Sequence, residues 1–105
     1  SSDVCSSDLF LDTQNRLIRD ERLGRGTVDH TPLYPREIAK RALELGAVAL
    51  VLVHNHPSGD PTPSPEDVAT TQKVVDALAA INVMVYDHVV VGKGRQTSFR
   101  EQGLI

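Results

Sequence analysis

Apolar and polar positions along the chain predict an α/β domain. Residues 47–53 (AVALVLV) are an unbroken apolar run, typical of a strand buried on both faces. Residues 83–91 (VMVYDHVVV) predict another strand. Between them, Val and Leu recur at helical spacing within residues 64–80, which predicts an amphipathic helix. The strand–helix–strand order predicts a parallel pair of strands joined by a right-handed crossover.

The N-terminal half predicts a hairpin followed by a first helix. Residues 9–11 read as the end of a strand, and residues 17–28 as the return strand, which continues past two glycines that mark a bend. Pro35–Leu45 is the first helix, because proline suits its first position and Gly46 suits the position after its last turn. Its apolar residues face the sheet, so helix and strand together form an αβ unit.

Composition limits the class of protein. The chain has 105 residues, enough for one domain, and its content of 40% hydrophobic and 24% charged residues is ordinary for a soluble globular protein. The longest apolar run has seven residues, too short to span a membrane. The single cysteine excludes an internal disulfide framework and a cysteine-based zinc cluster, and it fits a cytoplasmic protein.

Charge does not favour a nucleic-acid-binding domain. The formal net charge is −3, from 11 basic and 14 acidic residues. Seven of the 11 basic residues lie within residues 16–41, however. Acidic residues are interspersed among them, so the first interpretation of this basic cluster is a solvated face, and the alternative is a contact with nucleic acid or a partner.

The candidate chemistry lies in residues 54–67, HNHPSGDPTPSPED. His54 and His56 leave the end of the apolar strand on the same side, because alternate residues share a face. Ser64 is a predicted helix N-cap with proline after it, and Asp67 is the acid three residues on. A short proline-rich loop can bring the two imidazoles and the carboxylate together.

Two histidines and one carboxylate suit Zn²⁺. Hydrolytic zinc sites use three such protein ligands and leave a fourth position for water, whose pKa the metal lowers. The alternative is that Asp67 only caps its helix and that His54 and His56 are polar loop residues. The two roles of Asp67 are compatible, since one carboxylate oxygen can face each way.

The pattern His54-x-His56, seven residues, Ser64, two residues and Asp67 resembles the JAMM (JAB/MPN) zinc metallopeptidase motif. Over most of residues 9–105 the chain is also similar to the bacterial RadC proteins. The matching segments are LFLDTQNRLI at 9–18, RGTVD at 25–29, YPREIAKRALELGA at 34–47, HNHPSGDPTPS at 54–64 and DHVVVG at 87–92. The resemblance implies a three-layer α/β/α sandwich with a mixed sheet, the cytidine-deaminase-like JAB/MPN fold. It also implies His54, His56 and Asp67 as zinc ligands and Ser64 as a catalytic residue that stabilises an oxyanion.

The function that the resemblance implies is zinc-dependent hydrolysis of peptide or isopeptide bonds in a substrate that the sequence does not identify. The alternative is a noncatalytic, zinc-bound accessory module associated with DNA repair or recombination. Deaminase chemistry is excluded, because the chain has neither the His-x-Glu nor the Pro-Cys-x-x-Cys element that it requires.

Residues 1–8, SSDVCSSD, differ in character from the rest and resemble a translated sequencing adapter. We therefore expect the domain to be residues 9–105, truncated at its N-terminus. The JAMM pattern requires an upstream glutamate as general base, and the position that corresponds to it holds Val4. Neither Asp3 nor Asp8 is assigned this role, so we expect hydrolysis by this chain to be impaired.

Two further polar features leave alternatives open. Asp87 and His88 lie within the last long predicted strand, so one of them must face the covered side of the sheet. That residue is either a group beside the zinc ligands or a paired structural polar residue. His30 is interpreted as an exposed loop histidine.

Overall fold

The fold is a mixed five-stranded sheet with two helices, as a computed structural model of the chain shows. The structure describes residues 4–26, 34–56 and 59–105. The strands are β1 (Val4–Leu11), β2 (Leu17–Gly26), β3 (Ala49–Asn55), β4 (Met84–Gly92) and β5 (Arg95–Ser98), and the helices are α1 (Pro35–Leu45) and α2 (Pro65–Ala79). The sheet order is β2-β1-β3-β4-β5, in which β3 and β4 are parallel and the other neighbours are antiparallel. The predicted α/β class and parallel pair are confirmed.

The main core lies on one face of the sheet. Along β3, Leu50 and Leu52 are fully buried whereas Val51 and Val53 are only partly buried. Both helices contribute to the cluster that contains Leu50 and Leu52, α1 through Ile38 and Ala42 and α2 through Val74 and Leu78. The described residues therefore form two of the three predicted layers. Strand β3 is half-buried rather than buried on both faces, because both described helices cover the same side.

Both helices begin where the sequence predicts. Helix α1 has the predicted bounds. It is capped by Gly46, whose φ of 66° is the left-handed conformation that glycine adopts without strain. Helix α2 follows directly after Ser64, as the N-cap prediction requires. Neither described helix has the length and apolar content needed to cross a membrane.

Strand β1 is longer than the sequence predicts. It begins at Val4 rather than near Leu9, and it pairs with β2 on one side and β3 on the other. Residues 4–8 therefore lie within the sheet, and their interpretation as adapter-derived stays a prediction about their origin. Strand β2 runs continuously from Leu17 to Gly26. The predicted end of this strand beyond Gly26 and the predicted role of His30 lie outside the described residues.

The core-facing side of β1 carries an acid among apolar neighbours. Asp8 has no exposed surface and lies level with Leu52 of β3, and Phe10 occupies the next position on the same face. Neither carboxyl oxygen has a hydrogen-bond partner among the residues that the structure describes. Burial, and secondarily the negative charge of Glu21, raises the pKa of Asp8 to about 7. A buried carboxyl group without partners destabilises the fold when it ionises.

We expect Asp8→Val to stabilise the domain, and more strongly at high pH. Because the pKa of Asp8 is about 7 in the folded chain against 3.8 ordinarily, the folded chain binds more protons between these values. Stability therefore falls as the pH rises from about 4 to 7, by roughly 4 kcal/mol in total at about 1.4 kcal/mol per pKa unit. Urea unfolding of wild type and variant at pH 4.5 and pH 8 measures the difference.

The control for this prediction is Asp20→Val, which removes an exposed acid from β2. The comparison of each variant with wild type isolates the contribution of Asp8 from that of other titrating groups. A gain at pH 8 no larger for Asp8→Val than for Asp20→Val would contradict the assignment of the buried charge to Asp8.

Candidate metal centre

The carboxyl end of β3 places two histidines side by side. His54 is in the strand and His56 lies just past its end, and both are buried, with 3% and 4% of their surface exposed. Their rings meet edge to face, with centroids 4.8 Å apart. The prediction that His54 and His56 lie together at this end of the strand is confirmed.

The start of α2 brings a carboxylate to the same place. Ser64 and Asp67 form a reciprocal capping box, in which Ser64 Oγ accepts from the Asp67 N–H at 3.0 Å and Asp67 Oδ2 accepts from the Ser64 N–H at 3.1 Å. The same Oδ2 atom lies 3.7 Å from His56 Nε2. One ligand atom from each of His54, His56 and Asp67 falls within 4.8 Å of the others. Asp67 therefore caps its helix and also faces the histidines.

The loop after β3 fixes the ring orientation of His56. Its Nδ1 lies 2.7 Å from the carbonyl oxygen of Asp60, which can only accept, so Nδ1 carries the proton. In the neutral ring Nε2 then holds a lone pair. His56 Nε2 is buried and has no hydrogen-bond partner within the described part of the chain. It faces Asp67 Oδ2 at a distance too long for a hydrogen bond.

A metal ion would account for this geometry. A buried, unpartnered imidazole nitrogen beside a buried carboxylate oxygen is costly unless a further group binds both. Two imidazoles and one carboxylate fit Zn²⁺ in number and in chemical type. The residues present therefore fit a zinc ion held by His54, His56 and Asp67.

A third buried histidine lies behind the cluster. His88 on β4 stacks on His54 at a centroid distance of 6.0 Å and on Phe99 at 4.3 Å. Its Nδ1 is 2.7 Å from the hydroxyl of Thr71, which donates to the carbonyl oxygen of Asp67. Because Thr71 has only one hydroxyl proton, His88 Nδ1–H is the donor to Thr71. Burial, and then the nearby His54, lowers the pKa of His88 to about 4, so this ring is neutral at pH 7.

The structure resolves the two alternatives for Asp87 and His88. His88 faces the covered side and contacts a candidate ligand, whereas Asp87 accepts hydrogen bonds from the Ser98 hydroxyl and the Arg100 N–H near β5. Asp87 is therefore a paired structural residue. No sequence motif marks Thr71, although its position four residues after Asp67 places it on the same helix face.

The position of the expected general base lies next to the cluster. Cys5 of β1 pairs with Asn55 of β3, so position 4, where β1 begins, is level with His56. Asp8 pairs instead with Leu52, farther down the sheet. That Asp8 has no catalytic role stays a prediction.

Comparison with known families decides the relationship. The model of the RadC-like JAB domain family matches residues 6–104. The chain belongs to the RadC-like JAB domain family. Its mixed sheet with two helices is compatible with a JAB/MPN domain, and the His54–His56–Asp67 cluster lies in the segment that carries the motif.

Two curated proteins are similar to this RadC-like domain over most of its length. A UPF0758 protein of Rhodobacter capsulatus is 61% identical over 97 residues, which are 92% of this chain and 45% of the relative. A UPF0758 protein of Ruegeria pomeroyi is 55% identical over 96 residues, which are 91% of this chain and 43% of the relative. The chain spans less than half the length of these relatives.

Proposed function

We propose that this domain is a zinc-dependent hydrolase of peptide or isopeptide bonds, impaired in this chain by the loss of its general-base glutamate. The observation that carries the proposal is the buried His54–His56–Asp67 cluster. In it, His56 Nε2 makes no hydrogen bond to any described residue and faces a carboxylate oxygen. The match to the RadC-like JAB family supports a JAMM-type arrangement of these residues.

The roles follow from the contacts of each side chain. His54, His56 and Asp67 would hold the ion. A bound zinc ion supplies Lewis acidity, which polarises a carbonyl group and makes water a better nucleophile. Ser64 Oγ accepts the Asp67 N–H, so its own proton is available to donate to a developing oxyanion. The capping box fixes this hydroxyl beside the ligand set.

The missing base explains why we expect weak activity. A positioned general base contributes about 10²- to 10⁴-fold to rate. Position 4 is level with His56 but holds valine, which cannot accept a proton. The three candidate ligands are therefore present, whereas no proton acceptor stands at position 4.

Cleavage of peptide and isopeptide substrates tests the proposal. The zinc-loaded Val4→Glu protein is compared with Val4→Glu/His56→Ala on the same panel of substrates. Cleavage that depends on His56 supports a hydrolase. If the metal-loaded Val4→Glu protein cleaves no more than the double variant, the hydrolase proposal is wrong.

The alternative, an accessory module that contacts DNA, has less support. Three arginines of the basic cluster lie within 4 Å of carboxylates: Arg16 at 3.4 Å from Asp12, and Arg19 and Arg41 at 3.8 and 2.7 Å from Glu21. These pairs agree with the interpretation of the cluster as a solvated face of mixed charge. DNA binding that weakens with salt and with Arg19→Glu would favour the alternative instead.

A further inference from the structure

The loop that carries His56 rests on the turn between β4 and β5. Two backbone hydrogen bonds join the segments, from the His56 N–H to the Val91 carbonyl at 2.8 Å and from the Lys93 N–H to the Gly59 carbonyl at 3.0 Å. Between these two bonds, on the strand side, lies Gly92. The loop and the turn therefore meet backbone to backbone at Gly92.

The contact leaves no room for a side chain. A Cβ atom at Gly92 would lie 2.3 Å from the Gly59 carbonyl oxygen, 2.7 Å from the Gly59 carbonyl carbon and 2.8 Å from the Pro61 nitrogen. All three are backbone atoms, so they cannot move aside as the end of a flexible side chain would. Gly92 is also fully enclosed by the fold. Any larger residue here must displace residues 59–61.

The displaced segment is the one that orients His56. The Asp60 carbonyl, between Gly59 and Pro61, accepts the proton of His56 Nδ1 at 2.7 Å. That hydrogen bond selects the tautomer whose Nε2 has its lone pair directed to the cluster. Ordinary contact with a Cβ atom begins at 3.4 Å, so the Gly59 carbonyl must move by about 1 Å. A movement of that size in residues 59–61 lengthens or misaligns the 2.7 Å hydrogen bond to His56 Nδ1 and loosens the hold on the His56 ring.

We propose that Gly92 is a positioning residue for the metal centre. Because Gly92 has no side chain, the backbone of residues 59–61 can pack directly against it. The Asp60 carbonyl is thereby held in position, and its hydrogen bond to Nδ1 keeps His56 Nε2 directed toward His54 and Asp67. Gly92 thus acts through residues 59–61 and is not itself a proposed ligand. The inference rests on the proposed function only in taking His54, His56 and Asp67 as zinc ligands, and it does not depend on hydrolysis.

The test is Gly92→Ala beside Gly94→Ala. Gly94 lies in the same turn and has a φ of +71°, but a Cβ there would meet none of the described residues within 4 Å. Gly94→Ala therefore introduces backbone strain without pressing on residues 59–61. We expect Gly92→Ala to weaken zinc binding by about 10- to 100-fold, the usual effect of disturbing a group that orients a ligand, and Gly94→Ala to leave it unchanged. Co²⁺ substitution adds a spectroscopic readout, since its visible absorption reports coordination geometry.

A second measurement does not require metal. Nitrogen-15 NMR of the metal-free protein distinguishes the two imidazole tautomers, and we expect His56 to be the Nδ1–H form in wild type and Gly94→Ala but a mixture in Gly92→Ala. If Gly92→Ala fails to fold, Gly59→Ala presses on the adjoining Lys93 from the other side, because its added Cβ would lie 2.9 Å from Lys93 Cβ. Gly59 also has a φ of +86°, so Gly94→Ala, with strain at φ +71° and no such contact, is the control for this variant too.

The outcomes separate this inference from the proposed function. A folded Gly92→Ala protein with wild-type zinc affinity and a single His56 tautomer overturns the positioning role. If the wild-type protein binds zinc but the zinc-loaded Val4→Glu protein hydrolyses nothing, the proposed reaction is wrong and the positioning role still stands. Equal losses of zinc affinity in Gly92→Ala and Gly94→Ala would also overturn the positioning role, because backbone strain in the turn would then explain both losses.

Discussion

His56→Ala is expected to remove zinc from a domain that otherwise retains close to one ion per chain. The variant deletes one of the three proposed ligands and also the ring that donates to the Asp60 carbonyl. Loss of a group that only orients a ligand costs about 10- to 100-fold in metal affinity, so loss of the ligand itself should exceed about 100-fold. Elemental analysis of protein purified without added metal, followed by zinc titration, measures the effect.

Stability provides an independent readout of the same site. A ligand that binds only the folded state stabilises it by about 2.7 kcal/mol at a free concentration of 100 Kd. Added zinc should therefore raise the unfolding temperature of wild type but not of His56→Ala. The matched control is His30→Ala, which removes the one histidine that has no predicted part in the site. Zinc retained by a folded His56→Ala protein, or lost equally in His30→Ala, would contradict the assignment.

The ligand cluster could be predicted because each of its parts follows a local rule. An apolar strand that ends in His-x-His places two imidazoles at one edge of the sheet. A Ser-Pro-Glu-Asp sequence defines a helix start, and the capping box that forms there fixes Asp67. The short connection between the two elements then brings His54, His56 and Asp67 within ligand distance of one another.

Features that depend on nonlocal pairing could not be predicted in the same way. The sequence around Asp8 has no apolar periodicity, yet pairing with β3 forces this acid into the core opposite Leu52. Likewise, the pattern of β4 shows that Asp87 and His88 face opposite sides, but only the strand register decides that His88 is the one beside His54. The close contact at Gly92 likewise forms between the backbones of two segments that lie more than thirty residues apart in the sequence.

Val4→Glu is expected to produce the largest gain of function in this chain. Position 4 opens β1 and is level with His56, so a carboxylate there lies at the register where the JAMM resemblance requires a general base. A base that takes a proton from the attacking water contributes about 10²- to 10⁴-fold to rate. Hydrolysis of peptide or isopeptide bonds by the zinc-loaded variant, relative to wild type, measures the gain.

The control for this substitution is Val4→Gln, which has nearly the same size and polarity but cannot accept a proton in the same way. The rate of Val4→Glu should rise with pH as its carboxylate ionises, whereas Val4→Gln should show no such rise. Equal activity in the two variants would mean that position 4 affects only packing and that the proton acceptor lies elsewhere.

The strand that must hold the new glutamate is also the strand that carries Asp8. The buried charge of Asp8 opposes the pairing of β1 with β3, and this pairing sets the distance between position 4 and His56. We therefore expect Val4→Glu/Asp8→Val to be both more stable and more active at pH 8 than Val4→Glu alone. An increase in stability without an increase in activity would show that β1 already holds position 4 in place. Any remaining weakness in the hydrolysis rate would then come from a poorly matched substrate and not from the position of the base.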